Sequence, residues 1–307
     1  MKYRKIVLAG GNGYLGTVLA AYYAPLCQEV VILSRRPMPA KANIKTVVWD
    51  GKTMGNWCHE LGSTDMLINL CGKNVNCRYT KANREAIVQS RVVPTKLLGE
   101  VIGSLAAPPR LWINVTSATI YRHAEDKPQT EADGEIGDGF SIEVCKQWEA
   151  EFFNAKVSQT RQVALRMGIV LGRIDGVFPR LLNLVKMCLG GKQGTGKQYV
   201  AWVHELDAAR STEWLLVHEE IYGVVNCTAP VPVSNNLLMQ VIRKAYGMPV
   251  GLPAPEWLLS FGALIIGTET ELILKSRWVL PVRLTDAGFK FQFRDIKAAV
   301  NDIVRKD

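Results

Sequence analysis

The chain has 307 residues, 48% hydrophobic and 21% charged, an ordinary globular composition with length for one large core or two unequal units. Its formal charge is +9, from 37 Lys and Arg against 28 Asp and Glu, spread out with no run of five like charges. A diffuse basic balance suits small anionic ligands such as phosphates, and with no basic stripe interleaved with aromatics the reading is a small-molecule substrate and no nucleic acid.

Met1 to Lys5 is basic and an apolar stretch follows, but Gly10-Gly11-Asn12-Gly13 interrupts it and Tyr22-Tyr23-Ala24-Pro25 is a poor cleavage site. No signal peptide is expected. Lys5 to Ala9 predicts a buried strand, Tyr14 to Ala24 a helix, Glu29 to Leu33 a second strand, Lys45 to Trp49 a third and Met66 to Leu70 a fourth. Arg84 to Leu105 predicts a helix kinked at Pro94. Leu111 to Thr116 follows as a fifth strand, Phe140 to Ala155 as a helix, and Val163 to Arg166 as a sixth strand. Continuous apolar strands alternating with helices indicate an α/β fold of Rossmann type, a doubly wound parallel sheet covered on both faces, with its core over about residues 1–170.

Beyond 167 the alternation loosens. Phe178 to Leu189 reads as a helix, Gln198 to Val203 and Tyr222 to Asn226 as strands, Asn235 to Tyr246 as a helix and Met248 to Pro253 as a linker. Glu256 to Ile266 and Ile296 to Val304 read as further helices. The expected division is a nucleotide-binding domain over 1–247 and a small C-terminal domain over 248–307. The longest apolar run, Trp257 to Ile266, is too short to span a bilayer, so no membrane partner and a cytoplasmic location are expected. Seven cysteines at irregular spacing (27, 58, 71, 77, 145, 188, 227), with no Cys-x-x-Cys pair and no metal-like cluster, read as reduced thiols.

The strongest chemical signal is Gly10-Gly11-Asn12-Gly13-Tyr14-Leu15-Gly16, of the form G-x-x-G-x-x-G, between the first strand and the first helix. Glycines there let the backbone turn tightly and approach a pyrophosphate, and the helix N-terminus attracts its charge. The alternative is a glycine turn with no ligand. The second strand ends at Ser34-Arg35-Arg36, without the acid that an NAD enzyme places there for the ribose hydroxyls. Guanidinium suits a 2′-phosphate, so NADP is expected, against the alternative of a solvated basic turn.

Two motifs read as decoys. Gly191-Lys192-Gln193-Gly194-Thr195-Gly196-Lys197 has most of a P-loop, but Gln198 replaces the Mg²⁺-binding hydroxyl and the segment follows a helix and precedes a strand; a glycine-rich hairpin is expected. His204 with Asp207 has the look of an acid/base pair but reads as the capped start of a helix.

On its motifs the chain resembles the extended short-chain dehydrogenase/reductases, and more narrowly their epimerase-like branch with a C-terminal domain of unknown function. The shared segments are Gly10 to Gly16, Asn69 to Gly72, Asn114 to Tyr121, Val144 to Glu149, Leu165 to Gly172, Trp202 to Asp207, Arg277 to Pro281 and Ala287 to Phe289. The resemblance implies that Asp50 lies near the adenine and that Leu70, Cys71 and Gly72 line the cofactor. Thr116 and Arg91 would lie beside it. Ser117 matches the active-site serine, which bonds a substrate oxygen beside the nicotinamide; its alternative is a strand-end turn. The superfamily's Tyr with a Lys four residues on is absent, since Phe140-Ser141-Ile142-Glu143-Val144-Cys145-Lys146 stands where the pair should lie, and Arg91 stands where an Asn usually supports the Lys. Tyr121 and Lys146, which flank the expected site in sequence, are the candidate substitutes, with Glu143 and Cys145 also near. Two functions follow: an NADP-dependent oxidoreductase or epimerase-like enzyme on a small, nucleotide-sugar-like substrate, or a protein that holds NADP(H) as a sensor or scaffold without turnover.

Overall fold

The structure, a computed structural model, describes residues 1–39, 41–259 and 271–305. Strand β1 (Tyr3–Ala9) leads into helix α1 (Tyr14–Tyr23), followed by β2 (Cys27–Ser34), β3 (Ile44–Val48) and β4 (Met66–Asn69). Helix α2 (Lys81–Ser104) precedes β5 (Leu111–Ser117), and α3 (Phe140–Asn154) precedes β6 (Arg161–Met167). Then come β7 (Ile169–Leu171), α4 (Phe178–Lys186), β8 (Tyr199–Val200), β9 (Trp202–His204), α5 (Glu205–Val217), β10 (Gly223–Cys227), β11 (Val233–Ser234) and α6 (Asn235–Tyr246).

Alternate residues of β1 are buried on opposite faces. Ile6 and Leu8 join one cluster with Leu19 and Tyr23 of α1 and Leu215 of α5, while Val7 and Ala9 join another with Leu97 of α2 and Phe152 of α3. A strand apolar on both faces needs a helical layer on each side, which crossover helices supply and which makes the sheet parallel. Seven strands form it in the order β10-β6-β5-β4-β1-β2-β3, all pairs parallel. The direction of winding reverses between β1 and β4, and the crevice at such a reversal is where α/β sheets bind ligands.

The six predicted strands and their helices are present, and β10 adds a seventh from beyond residue 170. Helix α2 includes Pro94, where the hydroxyls of Ser90 and Thr95 bond the carbonyls of Ile87 (2.8 Å) and Arg91 (2.7 Å) in the turns around it. Three expectations change. The single strand predicted over 198–203 is two, because the chain changes partner at the buried Ala201: β8 pairs with β11 and β9 with β7. Helix α4 stops at Lys186, where Cys188 turns to φ +60° and Leu189 N–H closes back on Leu184 O at 2.8 Å. Segment 191–197 is a turn, not a hairpin, closed by Gly196 N–H to Gln193 O at 3.1 Å and packed against the 248–253 stretch through Gly191 N–H to Leu252 O at 3.0 Å.

A second core joins α4 and α6 to the last helix, Ile296–Arg305, through Val185, Leu238, Ile242, Val300 and Ile303. Of the helix predicted over 256–266, residues 256–259 are helical and the rest lies outside the described residues. No helix among the described residues is long and apolar enough to cross a membrane.

Candidate functional site

Parallel register brings the expected cofactor residues to one edge of the sheet. Ala9 is level with Leu33 and Asn69, and Asn69 with Asn114, so the exits of β1, β2, β4 and β5 open on the same crevice. Gly10 N–H bonds Leu33 O and Leu70 N–H bonds Ala9 O, both at 2.8 Å, tying the glycine loop to the ends of β2 and β4. The exit of β4 is pinned by a buried polar network. Asn69 Nδ2 donates to Asn114 Oδ1 (2.7 Å) and Thr95 Oγ1 (2.9 Å), and Asn69 Oδ1 accepts Cys71 N–H at 3.1 Å.

Each glycine of the loop has a separate reason. Gly10 sits at φ +71°, where side chains are strained. A Cβ on Gly16 would lie 2.2 Å from Gly11 O, so α1 could not pack so close to the strand end. A Cβ on Gly13 would meet no protein atom within 4 Å: the space beside this N-cap residue is open. The N–H groups of Tyr14, Leu15 and Gly16 have no intrahelical acceptor, as in any first turn. Tight turn, open approach and close packing are what a pyrophosphate on a helix N-terminus requires, so these residues fit a dinucleotide. Asn12 is exposed at the loop, and Leu15 packs against the sheet. The phenol of Tyr14 donates to Glu205, and a Cβ on Gly172 would overlap it at 1.6 Å.

At the end of β2, Ser34 is buried while Arg35 and Arg36 are exposed. Ser34 Oγ accepts Arg36 N–H at 3.3 Å, and Ser34 O accepts Trp49 N–H at 3.0 Å, which sets Asp50 beside it. The Asp50 carboxylate accepts Lys52 N–H, Thr53 N–H and the Thr53 hydroxyl, and these bonds hold its pKa down at about 2.

Ser117 ends β5 half-buried, its oxygen accepting Thr119 N–H at 3.2 Å. Thr116 is buried and donates to Glu149 Oε1 at 2.9 Å, so its side chain belongs to the core rather than the crevice. Glu149 also holds Arg166 in a two-pronged pair at 2.9 and 2.7 Å, and the Arg166 guanidinium lies 4.9 Å from the centre of the Tyr121 ring. Tyr121 is fully buried and gives its proton to Asn226 Oδ1 at 3.0 Å; burial pushes the phenol's pKa up. Lys146 lies on the exposed face of α3, paired with Glu143 at 3.1 Å. Of the two candidate substitutes for the missing acid, Tyr121 is thus buried in the core and Lys146 faces water. Cys145 is buried, and burial lifts its thiol to about 12, as it does for Cys71, so neither is a thiolate.

Arg91 packs its guanidinium 5.2 Å from the centre of Trp148, donates to Ile87 O and Lys73 O, and would lie 3.0 Å from a Cβ on Gly72. At the start of α3, Phe140 packs edge-on to Tyr79 at 4.8 Å, and the Tyr79 phenol lies 3.3 Å from Ser141 Oγ. Ser141 donates to Glu271, so the C-terminal region reaches this site. Tyr79 lies in no motif that the sequence displays.

Sheet order and loop define a dinucleotide-binding protein of Rossmann type, with the sheet of an extended short-chain dehydrogenase/reductase. The chain belongs to the NAD dependent epimerase/dehydratase family, whose model matches residues 6–227, and a domain of unknown function (DUF1731) matches residues 254–303. It is 30% identical to the mouse epimerase family protein SDR39U1 over 98% of this chain and 99% of that one. The crystal structure of human SDR39U1 with NADPH superposes with a TM-score of 0.88 at 28% identity, covering 99% of this chain and 100% of that one. A nucleoside-diphosphate sugar epimerase from Corynebacterium glutamicum gives a TM-score of 0.77 at 27% identity, covering 98% of this chain and 58% of that one. A nicotinamide dinucleotide is thus the cofactor class of the family and of the glycine loop.

Proposed function

We propose that this chain is an NADP(H)-dependent oxidoreductase or epimerase-like enzyme for a small, nucleotide-sugar-like substrate, working without a Tyr/Lys pair. The observation that carries the cofactor choice is the end of β2: two exposed arginines and no acid, bonded through Leu33 O to the glycine loop. An NADPH-bound relative and a sugar-nucleotide epimerase among the similar structures support the reading. When bound, the cofactor supplies or accepts a hydride at its nicotinamide. Ser117, with its oxygen fixed by Thr119 N–H, keeps its proton free to bond a substrate oxygen. Gly10 to Gly16 seat the pyrophosphate, Arg35 and Arg36 the 2′-phosphate, and Asp50, Leu70, Cys71 and Gly72 border the adenine and ribose side. Phe140 has no proton to give, so another group or a water supplies the one that a phenol would.

The test is titration of NADPH and NADH into wild type and Arg35→Ala. NADPH should bind about tenfold or more tightly, since charge-assisted bonds are worth roughly 1.5–3 kcal/mol, and the preference should collapse in the variant. Equal affinities in wild type, or an unchanged preference, contradict the assignment. A second reading, NADP(H) held without turnover, is favoured by Phe140 in place of the phenol. Hydride transfer across a panel of carbonyl and nucleotide-sugar substrates, lost in Ser117→Ala, separates the two.

A further inference from the structure

Beyond the sheet, an exposed apolar patch is set among cations. Met187 and Leu189 at the end of α4, Tyr246 at the end of α6, and Val250, Leu252 and Trp257 after it are each 42–71% exposed. Hydrogen bonds join these segments into one surface. Leu252 N–H bonds Cys188 O at 2.8 Å, Gly191 N–H bonds Leu252 O at 3.0 Å and Ala254 N–H bonds Lys192 O at 2.9 Å. The two helix ends meet as well, with Lys186 Nζ 5.7 Å from the centre of the Tyr246 ring and Arg243 donating to Gly190 O at 2.6 Å. Single apolar side chains are ordinary on a surface, whereas a group of them on adjoining segments marks a contact site.

The charge of this region is one-sided. Residues 176–204 and 221–255 carry six Lys and Arg and no Asp or Glu, two thirds of the chain's net charge of +9. Lys186, Lys192 and Lys244 are exposed beside the patch, and none of them pairs with a carboxylate among the described residues. The stretch after α6 also leaves few backbone donors free. Pro249, Pro253 and Pro255 have no N–H, and the N–H groups of Gly247, Met248, Leu252 and Ala254 bond Lys244 O, Arg243 O, Cys188 O and Lys192 O. Such a stretch can enter an apolar boundary at little cost in unpaired donors.

A second copy of the chain would set like charges against each other, and lysine is depleted from protein–protein contacts. Lys and Arg bordering Leu, Tyr and Trp suit an anionic bilayer surface, where headgroups take the cations and apolar side chains enter the acyl boundary. We propose that the ends of α4 and α6 and residues 247–257 form a peripheral docking surface for an anionic lipid bilayer. The expectation of no membrane partner rests on the lack of a crossing segment, which a surface contact does not need. None of these residues seats the cofactor, so the proposal stands apart from the function proposed above.

The test is co-sedimentation of the full-length protein with vesicles of phosphatidylcholine alone and of phosphatidylcholine mixed with phosphatidylglycerol, at low and high salt. Wild type should bind the anionic vesicles at low salt, and at least about tenfold more weakly at high salt or on phosphatidylcholine alone. Leu252→Glu, and Lys186→Glu combined with Lys244→Glu, should each weaken that binding about tenfold or more while melting near the wild-type temperature. Lys96→Glu combined with Lys156→Glu makes the same change of net charge at exposed positions of α2 and the turn after α3, and should leave binding within about twofold. Wild type that fails to bind anionic vesicles at low salt overturns the proposal and leaves the patch to an acidic protein partner. So does a loss in the α2 pair as large as in the patch pair, which would make net charge alone responsible, or an unchanged affinity in Leu252→Glu.

Discussion

Glu131 shows how one buried oxygen sets a pH dependence. Its Oε1 accepts the N–H groups of Asn226 (2.9 Å) and Arg283 (3.4 Å), while Oε2 is buried with no partner among the described residues. Burial raises its pKa above the ordinary carboxylate value, against the smaller pull of those bonds. A carboxyl with a raised folded-state pKa stabilises the fold in its protonated form. That contribution is complete below the unfolded value of about 4.3 and is lost as pH climbs through the folded value. Wild type should therefore lose stability relative to Glu131→Gln as pH rises through the weakly acidic range. Thermal melts of both proteins at matched pH check this; a gap that stays constant with pH would show that Glu131 is not perturbed. Burial likewise surrounds the Tyr121 phenol. The pattern Ser117 to Tyr121 places a phenol near the site in sequence, but nothing in it reveals that Arg166 and Asn226 enclose the ring from β6 and β10.

At the level of elements, the β1–α1 unit was the most legible part of the chain. Apolar runs, glycine spacing and a helix start all coincide within residues 5–16, so local propensity and tertiary packing agree. Beyond residue 167 strands β7, β8, β9 and β11 are only two or three residues long and take partners distant in sequence, which periodicity does not encode: β9 pairs with β7 across α4. The glycine loop yields a paired prediction. Ala at position 16 would drive its Cβ into Gly11 O at 2.2 Å, an overpacking that costs typically 1–3 kcal/mol. Ala at position 13 meets no protein atom, and loss of an N-cap glycine costs under about 1 kcal/mol. Gly16→Ala should lower the unfolding midpoint markedly. Gly13→Ala should fold nearly as wild type yet bind NADPH at least about tenfold more weakly, because its methyl fills the pyrophosphate's approach. Chemical denaturation and cofactor titration on both variants decide this, and unaltered NADPH affinity in Gly13→Ala would count against the loop as the phosphate seat.

Across the whole molecule, the C-terminal region is fastened to the nucleotide-binding part by hydrogen bonds to backbone groups. Arg283 donates to Tyr222 O and Val224 O at the end of the sheet, both at 2.6 Å, and Gln129 N–H bonds Trp278 O at 2.7 Å. The sequence offered His204 and Asp207 as a possible acid/base pair and read them instead as a helix start. His204 does cap α5, its Nδ1 accepting Leu206 N–H at 3.2 Å. Asp207 does more than lie near the helix dipole: it reaches out of its helix and accepts the N–H groups of Gln292 (2.9 Å) and Phe293 (2.7 Å), while Arg210 pairs with it at 2.6 Å. No periodicity could reveal that contact, since its partners lie more than eighty residues downstream and are backbone groups. Phe293 then stacks on His204 at 3.8 Å, so α5 joins the sheet to the last fifty residues. Asp207 is fully buried. Its replacement by Ala leaves the buried N–H of Phe293, the part-buried N–H of Gln292 and the partly exposed Arg210 without their acceptor, which should cost about 1–3 kcal/mol, the range for leaving a buried polar group unpaired. Because the C-terminal ties pass through α5 into the main sheet, the loss should lower one cooperative transition rather than release the C-terminal region alone. Differential scanning calorimetry of wild type and Asp207→Ala is the measurement. A single peak shifted to lower temperature is expected, whereas a new low-temperature shoulder with the main peak unmoved would mean that the C-terminal region folds as a separate unit.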